Sequence, residues 1–262
     1  MRRPAVSVLI PTHDRPELLA DALRSVAAQR TPPLEVRIAD DGDVPATAAC
    51  DGRGLLEVVV LPCAARRLAA ARNLAARAAR GEVLAFLDDD DRWRPDHLDR
   101  LGPAFDDPRV DLAYTDSVVV RERIEPGGRR VGLGERTLAR DWDPEWMAHD
   151  DYVPPSSWAV RRGLFERLGG FDESFAFSED WDFLLRAAAL TRPRRVPGVT
   201  VEVRLREHGN LSSDTGPERR ECLDRLSLRH GLPPLVIRTF WEVAERSGAA
   251  CFTCGSRPEG AT

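Results

Sequence analysis

Residues 82–93 read "EVLAFLDDDDRW", and this stretch decides how the chain is understood. Glu82 to Leu87 has the length and composition of a buried strand. It runs directly into four aspartates, Asp88 to Asp91. Adjacent carboxylates repel one another unless something positive sits among them. In extended geometry Asp88 and Asp90 face one way, with Asp89 and Asp91 opposed. Hard oxygen donors so arranged suit Mg²⁺ or Mn²⁺, ions that also bind the oxygens of a diphosphate. A solvated acidic loop that caps a helix starting near Pro95 explains the same residues without any ligand.

Upstream, short apolar strands alternate with helical stretches, the pattern of a mostly parallel sheet covered by helices. "AVSVLI" (5–10) reads as a strand. "PELLADALRSVAAQ" (16–29) reads as a helix with proline in its first turn. "LEVRIAD" (34–40) and "LEVVVLP" (56–62) read as further strands. "RLAAARNLAARAARG" (67–81) reads as an alanine-rich helix stopped by Gly81. In open α/β sheets ligands lie beyond the carboxyl ends of the strands. Here "PTHDR", "DDGD" and "DDDDRW" follow three such ends and are expected to share one rim.

Downstream the pattern changes. A helix is expected over 95–105, then a strand "DLAYTDSVVV" (111–120), and a hairpin or loop in "EPGGRRVGLGER" (125–136). A strand in "GVTVEVRLREHG" (198–209) and two terminal helices complete the reading. Within "SEDWDFLLR" (178–186), Glu179, Asp180 and Asp182 precede an apolar helix, where carboxylates are favoured whatever their function. The preceding "GGFDESF" supplies a glycine pair that would let this segment close over a substrate. His208, in "REHGNLSS", follows a strand and precedes a polar loop.

Composition narrows the classes. The 262 residues, 42% hydrophobic, can bury a core as one large domain or a domain plus a lobe. A net charge of −5 argues against general affinity for nucleic acid. All 38 basic residues are arginine, which excludes a mechanism needing a catalytic lysine. No apolar run approaches the roughly 18 residues that cross a bilayer, and "MRRPAVSVLIP" is too short for a secretory signal. The expected location is cytoplasmic, with peripheral attachment to the inner face of the membrane left open. Five cysteines, an odd number, argue against a disulfide framework. The C-x-x-C of Cys251 and Cys254 lacks the second pair that a structural zinc site needs.

Taken in order, "VSVLIPTHDRPELLADALRSVAAQ", "LEVRIADDGD", "RLAAARNLAARAARGEVLAFLDDDDRW", "YVPPSSWAVRRGLFERLGGFDESFAFSEDWDFLLR" and "REHGNLS" resemble the family-two glycosyltransferases of the GT-A fold. The resemblance spans most of residues 5–213. It implies a Rossmann-like α/β domain over 1–215, with a nucleotide-binding half (1–105) and an acceptor and catalytic half (106–215), followed by a helical extension and tail (216–262). It also implies a nucleotide-diphosphate sugar donor of the UDP or dTDP type and a Mn²⁺ or Mg²⁺ cofactor. The acceptor, whether saccharide, lipid-linked, small-molecule or peptide, stays open.

By the same resemblance, Pro11, Thr12, His13 and Arg15 line the nucleotide pocket. Asp41 accepts a hydrogen bond from the base and Arg67 lies close to the nucleotide. Asp88 and Asp90 end the family's D-x-D motif with Asp89 between them, Asp90 being the first choice of metal ligand and His208 a further one. Asp180 matches the catalytic base, with Glu179 beside it. Family members usually carry Asn at Asp14, Ser at Asp43 and an aromatic residue at His13, departures that bear on the nucleotide more than on the reaction. Two other readings compete: a nucleotide-sugar binder of the same fold without activity, and a sugar-phosphate nucleotidyltransferase. The second needs a glycine-rich loop after the first strand, and "PTHDRP" has none.

Overall fold

A computed structural model of the chain describes residues 3–50, 57–125, 129–207 and 210–247. In chain order the first half comprises β1 (Val6–Thr12), α1 (Pro16–Ala27), β2 (Glu35–Asp40), β3 (Val58–Pro62), α2 (Leu68–Ala78), β4 (Val83–Phe86), β5 (Arg92–Trp93) and α3 (His97–Leu101). The second comprises β6 (Leu112–Ile124), β7 (Arg130–Leu138), α4 (Pro144–Met147), β8 (Trp158–Arg161), α5 (Arg162–Arg167), α6 (Glu179–Ala188), β9 (Arg194–Arg206), α7 (Pro217–His230) and α8 (Phe240–Ser247).

Strands β1, β2 and β4 are buried almost without interruption, as strands covered on both faces must be. Helix α1 supplies part of that cover through Leu19, Ala22, Leu23 and Val26, an apolar stripe at helical spacing. Helix α2 buries Ala69, Ala71, Ala75 and Ala76, small side chains that let it lie close to the sheet. It ends at Ala78 with Ala79 in extended conformation, so Gly81 is not its stop signal. The glycine is required one step later: a Cβ there would lie 2.6 Å from the backbone nitrogen of Ser7.

Among the described residues the strands form one sheet in the order β3-β2-β1-β4-β8-β6-β9-β5, with β7 added on β6. Strands β3, β2, β1 and β4 are mutually parallel. Beyond β4 the sheet is mixed: β8 is antiparallel to β4 and β6, β9 runs parallel to β6, and β5 and β7 join antiparallel. The 125–136 segment resolves as the hairpin partner of β6, apart from residues 126–128, which lie outside the described set. The helix expected over 95–105 is shorter. α3 covers 97–101 and gives way to a tighter 3₁₀ turn, Gly102–Asp106, at Pro103, which cannot donate to a helical ladder.

Pairing of Thr12 with Asp40 brings the carboxyl ends of β1 and β2 level; β4 ends opposite Leu9, and the aspartates that follow it reach the level of Thr12. A cluster of aromatic rings fixes the elements that continue from this rim. Trp158 of β8 stacks on Phe183 of α6 at 5.4 Å and packs on Phe86 of β4 at 4.6 Å. Phe171 completes the group. Gly170 precedes Phe171 with φ of +75°, and a Cβ there would lie 2.5 Å from the side-chain oxygen of Asn73. That side chain bonds both the amide and the carbonyl of Phe171 at 2.9 Å, so the second glycine of the pair serves a pinned turn. No described helix is long and apolar enough to cross a membrane.

Trp158 is fully buried. Trp158→Ala should cost about 3–5 kcal/mol of stability, read as a lower urea midpoint with little change in slope.

Candidate active site

A cleft of about 650 Å³ opens at the carboxyl rim. Its walls include Pro11, Thr12, His13, Arg15, Asp41 and Arg67 on the side of β1, β2 and α2. Asp88, Asp89 and Asp90 lie beyond β4, with Glu179 and Asp180 at the start of α6. The structure thus brings eleven of the twelve expected site residues to one cavity; the twelfth, His208, falls outside the described residues, as do Cys251 and Cys254.

The first wall is built from backbone geometry. The amide of Asp41 donates to the carbonyl of Thr12 at 2.9 Å, and Nδ1 of His13 lies 2.8 Å from the carbonyl oxygen of Asp41. The Asp41 carboxylate accepts the amides of Arg66 and Arg67 at 2.8 and 2.9 Å and so fixes the turn into α2. Arg67 extends from that turn, half-exposed, 3.7 Å from Glu218. Asp14, where family members usually carry Asn, has φ of +53°. Its carboxylate accepts the amides of Asp43 and Val44, both at 2.7 Å. Asn and Asp are the residues that tolerate this left-handed conformation while accepting such bonds, so the departure preserves the local structure. Those donated amides hold its carboxyl below the usual range.

The four aspartates do not continue the strand. β4 ends at Phe86, and the amide of Asp91 donates to the carbonyl of Asp88 at 3.1 Å, closing a turn. The expected pairing of faces therefore fails: Asp89 and Asp90, expected to be opposed, both meet Arg15. Asp88 meets Arg72 at 2.6 Å. Asp89 accepts the hydroxyl of Thr12 at 2.7 Å, with Arg15 at 3.5 Å. Asp90 lies between Arg15 at 3.3 Å and Arg206 at 2.9 Å. Asp91 accepts the hydroxyl of Ser156 at 2.5 Å and the amide of Arg204 at 3.0 Å, and it caps no helix. Arginines thus supply much of the positive charge that the acidic run requires. Burial and the neighbouring carboxylates still push Asp89 up to about 7, with Asp90 and Asp91 also raised.

Glu179 and Asp180 open α6. Ser178, at its N-cap, is left-handed with φ of +62° and makes no side-chain cap. Glu179 is buried against Nη1 of Arg72, while Asp180 accepts the amide of Trp181 at 2.8 Å. Burial raises Glu179 to about 8 and raises Asp180 as well, partly countered by the charge of Arg72. A third carboxyl, Asp151, lines the cleft and is pushed far up by burial and by Asp180. Its neighbour Asp150 is instead held by Arg238 at 2.7 Å and Arg246 at 3.2 Å.

The model of the family described as "Glycosyl transferase family 2" matches residues 7–169. The chain is 31% identical over 246 residues to a Bacillus subtilis protein named "Uncharacterized glycosyltransferase YwdF", covering 90% of this chain and 87% of that one. The chain belongs to glycosyl transferase family 2. Among solved structures, the fold is similar to residues 1–349 of Staphylococcus aureus TarS in complex with UDP-GlcNAc (TM-score 0.67, 20% identity). That match covers 86% of this chain and 66% of TarS 1–349. It is also similar to the mannosyltransferase PcManGT of Pyrobaculum calidifontis in complex with GDP-Man and Mn²⁺. There the TM-score is 0.62 at 21% identity, over 89% of this chain and 67% of that one. The chain thus spans about two thirds of the length of either solved relative.

Of the site's arginines, the sequence pattern flagged Arg15 and Arg67 alone. Arg72, Arg206 and Asp151 were missed: each becomes part of the site through partners distant in the chain. Among the described residues no three His, Cys, Asp or Glu side chains converge into a ligand cage. The donor set nevertheless fits a hard cation of the Mg²⁺ kind, which uses one or two carboxylates and completes its shell with substrate phosphates and water. Asp90, only partly exposed at the cleft and raised by burial and by Asp88, has the chemistry of such a ligand.

Arg72 is 1% exposed and carries both Asp88 and Glu179. Arg72→Met should cost about 3–5 kcal/mol at pH 8, the penalty for stranding the buried carboxylate of Glu179. The loss should shrink towards pH 6 as Glu179, raised by burial to about 8, takes up its proton, in denaturant titrations at both values. For Asp89 the folded state holds its proton to about pH 7, whereas the unfolded chain releases it near 3.8. Its contribution to stability therefore falls as pH rises between those values. Asp89→Asn should stabilise the free protein at pH 8 and flatten the fall in melting temperature between pH 5.5 and 8.

Proposed function

We propose that the chain moves a sugar from a nucleotide-diphosphate donor to an acceptor nucleophile in one inverting displacement. The observation that carries this reading is the shared cleft, with Asp41 and the aspartate turn on one wall and Asp180 on another. In this reading residues 1–105 bind the nucleotide, 106–215 present the catalytic carboxylate and the acceptor, and the extension from 216 borders the acceptor side. Pro11, Thr12, His13, Arg15 and Arg67 surround the nucleotide. A carboxylate offers about four acceptor positions, so Asp41 can take a base N–H beside its two backbone bonds. That favours a donor with a ring imide, UDP or dTDP.

Asp180 takes the acceptor's proton as the new bond to the anomeric carbon forms. The bond from that carbon to the diphosphate oxygen breaks, and its electron pair leaves with the nucleotide. Its raised affinity for a proton brings Asp180 closer to the range in which a general base works at neutral pH. Glu179, anchored on Arg72, orients the start of α6, and Asp89 lies towards the sugar or ribose. Asp90, with Asp88 beside it and His208 as a further donor, would hold Mn²⁺ or Mg²⁺, an ion that stabilises charge on the leaving diphosphate when bound.

Asp180→Asn should lower turnover by about 10²- to 10⁴-fold while nucleotide binding persists. Unchanged turnover would remove Asp180 from the reaction. A thermal-shift panel of UDP, dTDP, GDP and their sugars, each with and without Mn²⁺, identifies the donor, because the ligand that binds raises the melting temperature by mass action.

A further inference from the structure

The side of the cleft formed by residues 210–243 differs in character from the donor wall. Its apolar side chains are Leu211, Leu223, Val236, Phe240 and Val243, with Glu218 and Arg219 among them. Leu211 is 50% exposed and Val236 57%, although both line the cavity. The segments that carry them are gripped by two neighbouring arginines of α7. Arg219 donates to the carbonyls of Ser212 at 2.8 Å, Asp214 at 3.0 Å and Arg238 at 2.8 Å. Arg220 donates to the carbonyl of Leu235 at 2.7 Å.

Several polar groups of this side, Asn210, Arg238 and Trp181 among them, are engaged within the chain. The amide side chain of Asn210 spans the backbone nitrogen and oxygen of Arg206. Arg238 is paired with Asp150, adjacent to Asp151, and the indole of Trp181 donates to the carbonyl of Met147 at 2.9 Å. A free sugar needs polar partners for its hydroxyls, because a buried polar group left unpaired costs free energy. An apolar body needs only area to cover, and Leu211 and Val236 offer it.

We propose that the acceptor carries its nucleophilic hydroxyl or amine on an apolar body, aromatic or aliphatic, which seats against Leu211, Val236 and Phe240. The inference rests on the transferase reading and narrows its acceptor class.

Calorimetric titration of the full chain with primary alcohols from butanol to octanol tests it without any donor. Affinity should rise about fourfold per added CH₂, the equivalent of about 0.8 kcal/mol of buried methylene. Val236→Asp and Leu211→Asp, both at exposed positions, should weaken octanol binding at least tenfold while leaving UDP binding, measured separately, unchanged. Benzyl alcohol and 2-naphthol form the second arm. A ring that outbinds the linear chain of equal carbon number assigns an aromatic acceptor, and the reverse assigns an alkyl or lipid chain. A series flat in chain length, glucose or maltose binding as well as octanol, or the two variants binding octanol as the parent does would overturn the proposal. Loss of nucleotide binding alone would instead count against the donor reading.

Discussion

One buried guanidinium holds the site together. Arg72 points from the alanine-rich helix between the strand-end carboxylate Asp88 and the helix-start carboxylate Glu179, which lie 16 and 107 residues away in sequence. A charge so thoroughly removed from water is tolerated only when paired and hydrogen-bonded, and each carboxylate is in turn tolerated because of it. The constraint is mutual. It ties the parallel block of the sheet to the helix added by the second half, and so sets the relation between the aspartate turn and the start of α6.

The same accounting explains why the site keeps an appetite for positive charge. Arg15, Arg72 and Arg206 reach the turn, yet Asp89, Asp90 and Asp91 still lean towards the protonated state. Negative charge gathers at the aspartate turn and at the start of α6, whereas Leu211, Val236 and Phe240 give another part of the cleft an apolar lining.

Much of the architecture was legible because periodicity is local. The continuous burial of β1, β2 and β4, the stripe of α1 and the polar strand ends all follow from short windows of sequence. The order of "PTHDR", "DDGD", "DDDDRW" and "SEDW" carried the site's carboxylates. Long-range pairing was not legible. Arg72 looks like one more arginine in an alanine-rich helix, and Asp151 like one more aspartate in "HDDY", until tertiary structure supplies their partners. The geometry of the aspartate run was misread for a related reason: alternation assumes extended backbone, and the bond from Asp91 to Asp88 turns the chain instead. Gly81 was likewise read as a helix stop, when its purpose is the close approach of Ser7 in a different strand.

The clasp made by Arg219 and Arg220 takes hold of main-chain carbonyls at Ser212, Asp214, Leu235 and Arg238. Every residue type presents the same carbonyl, so side chains along both gripped segments can drift without loosening the grip. Selection can thus repaint the mouth of the cavity for new chemistry while its frame stays put, a route by which one ancestral scaffold diversifies.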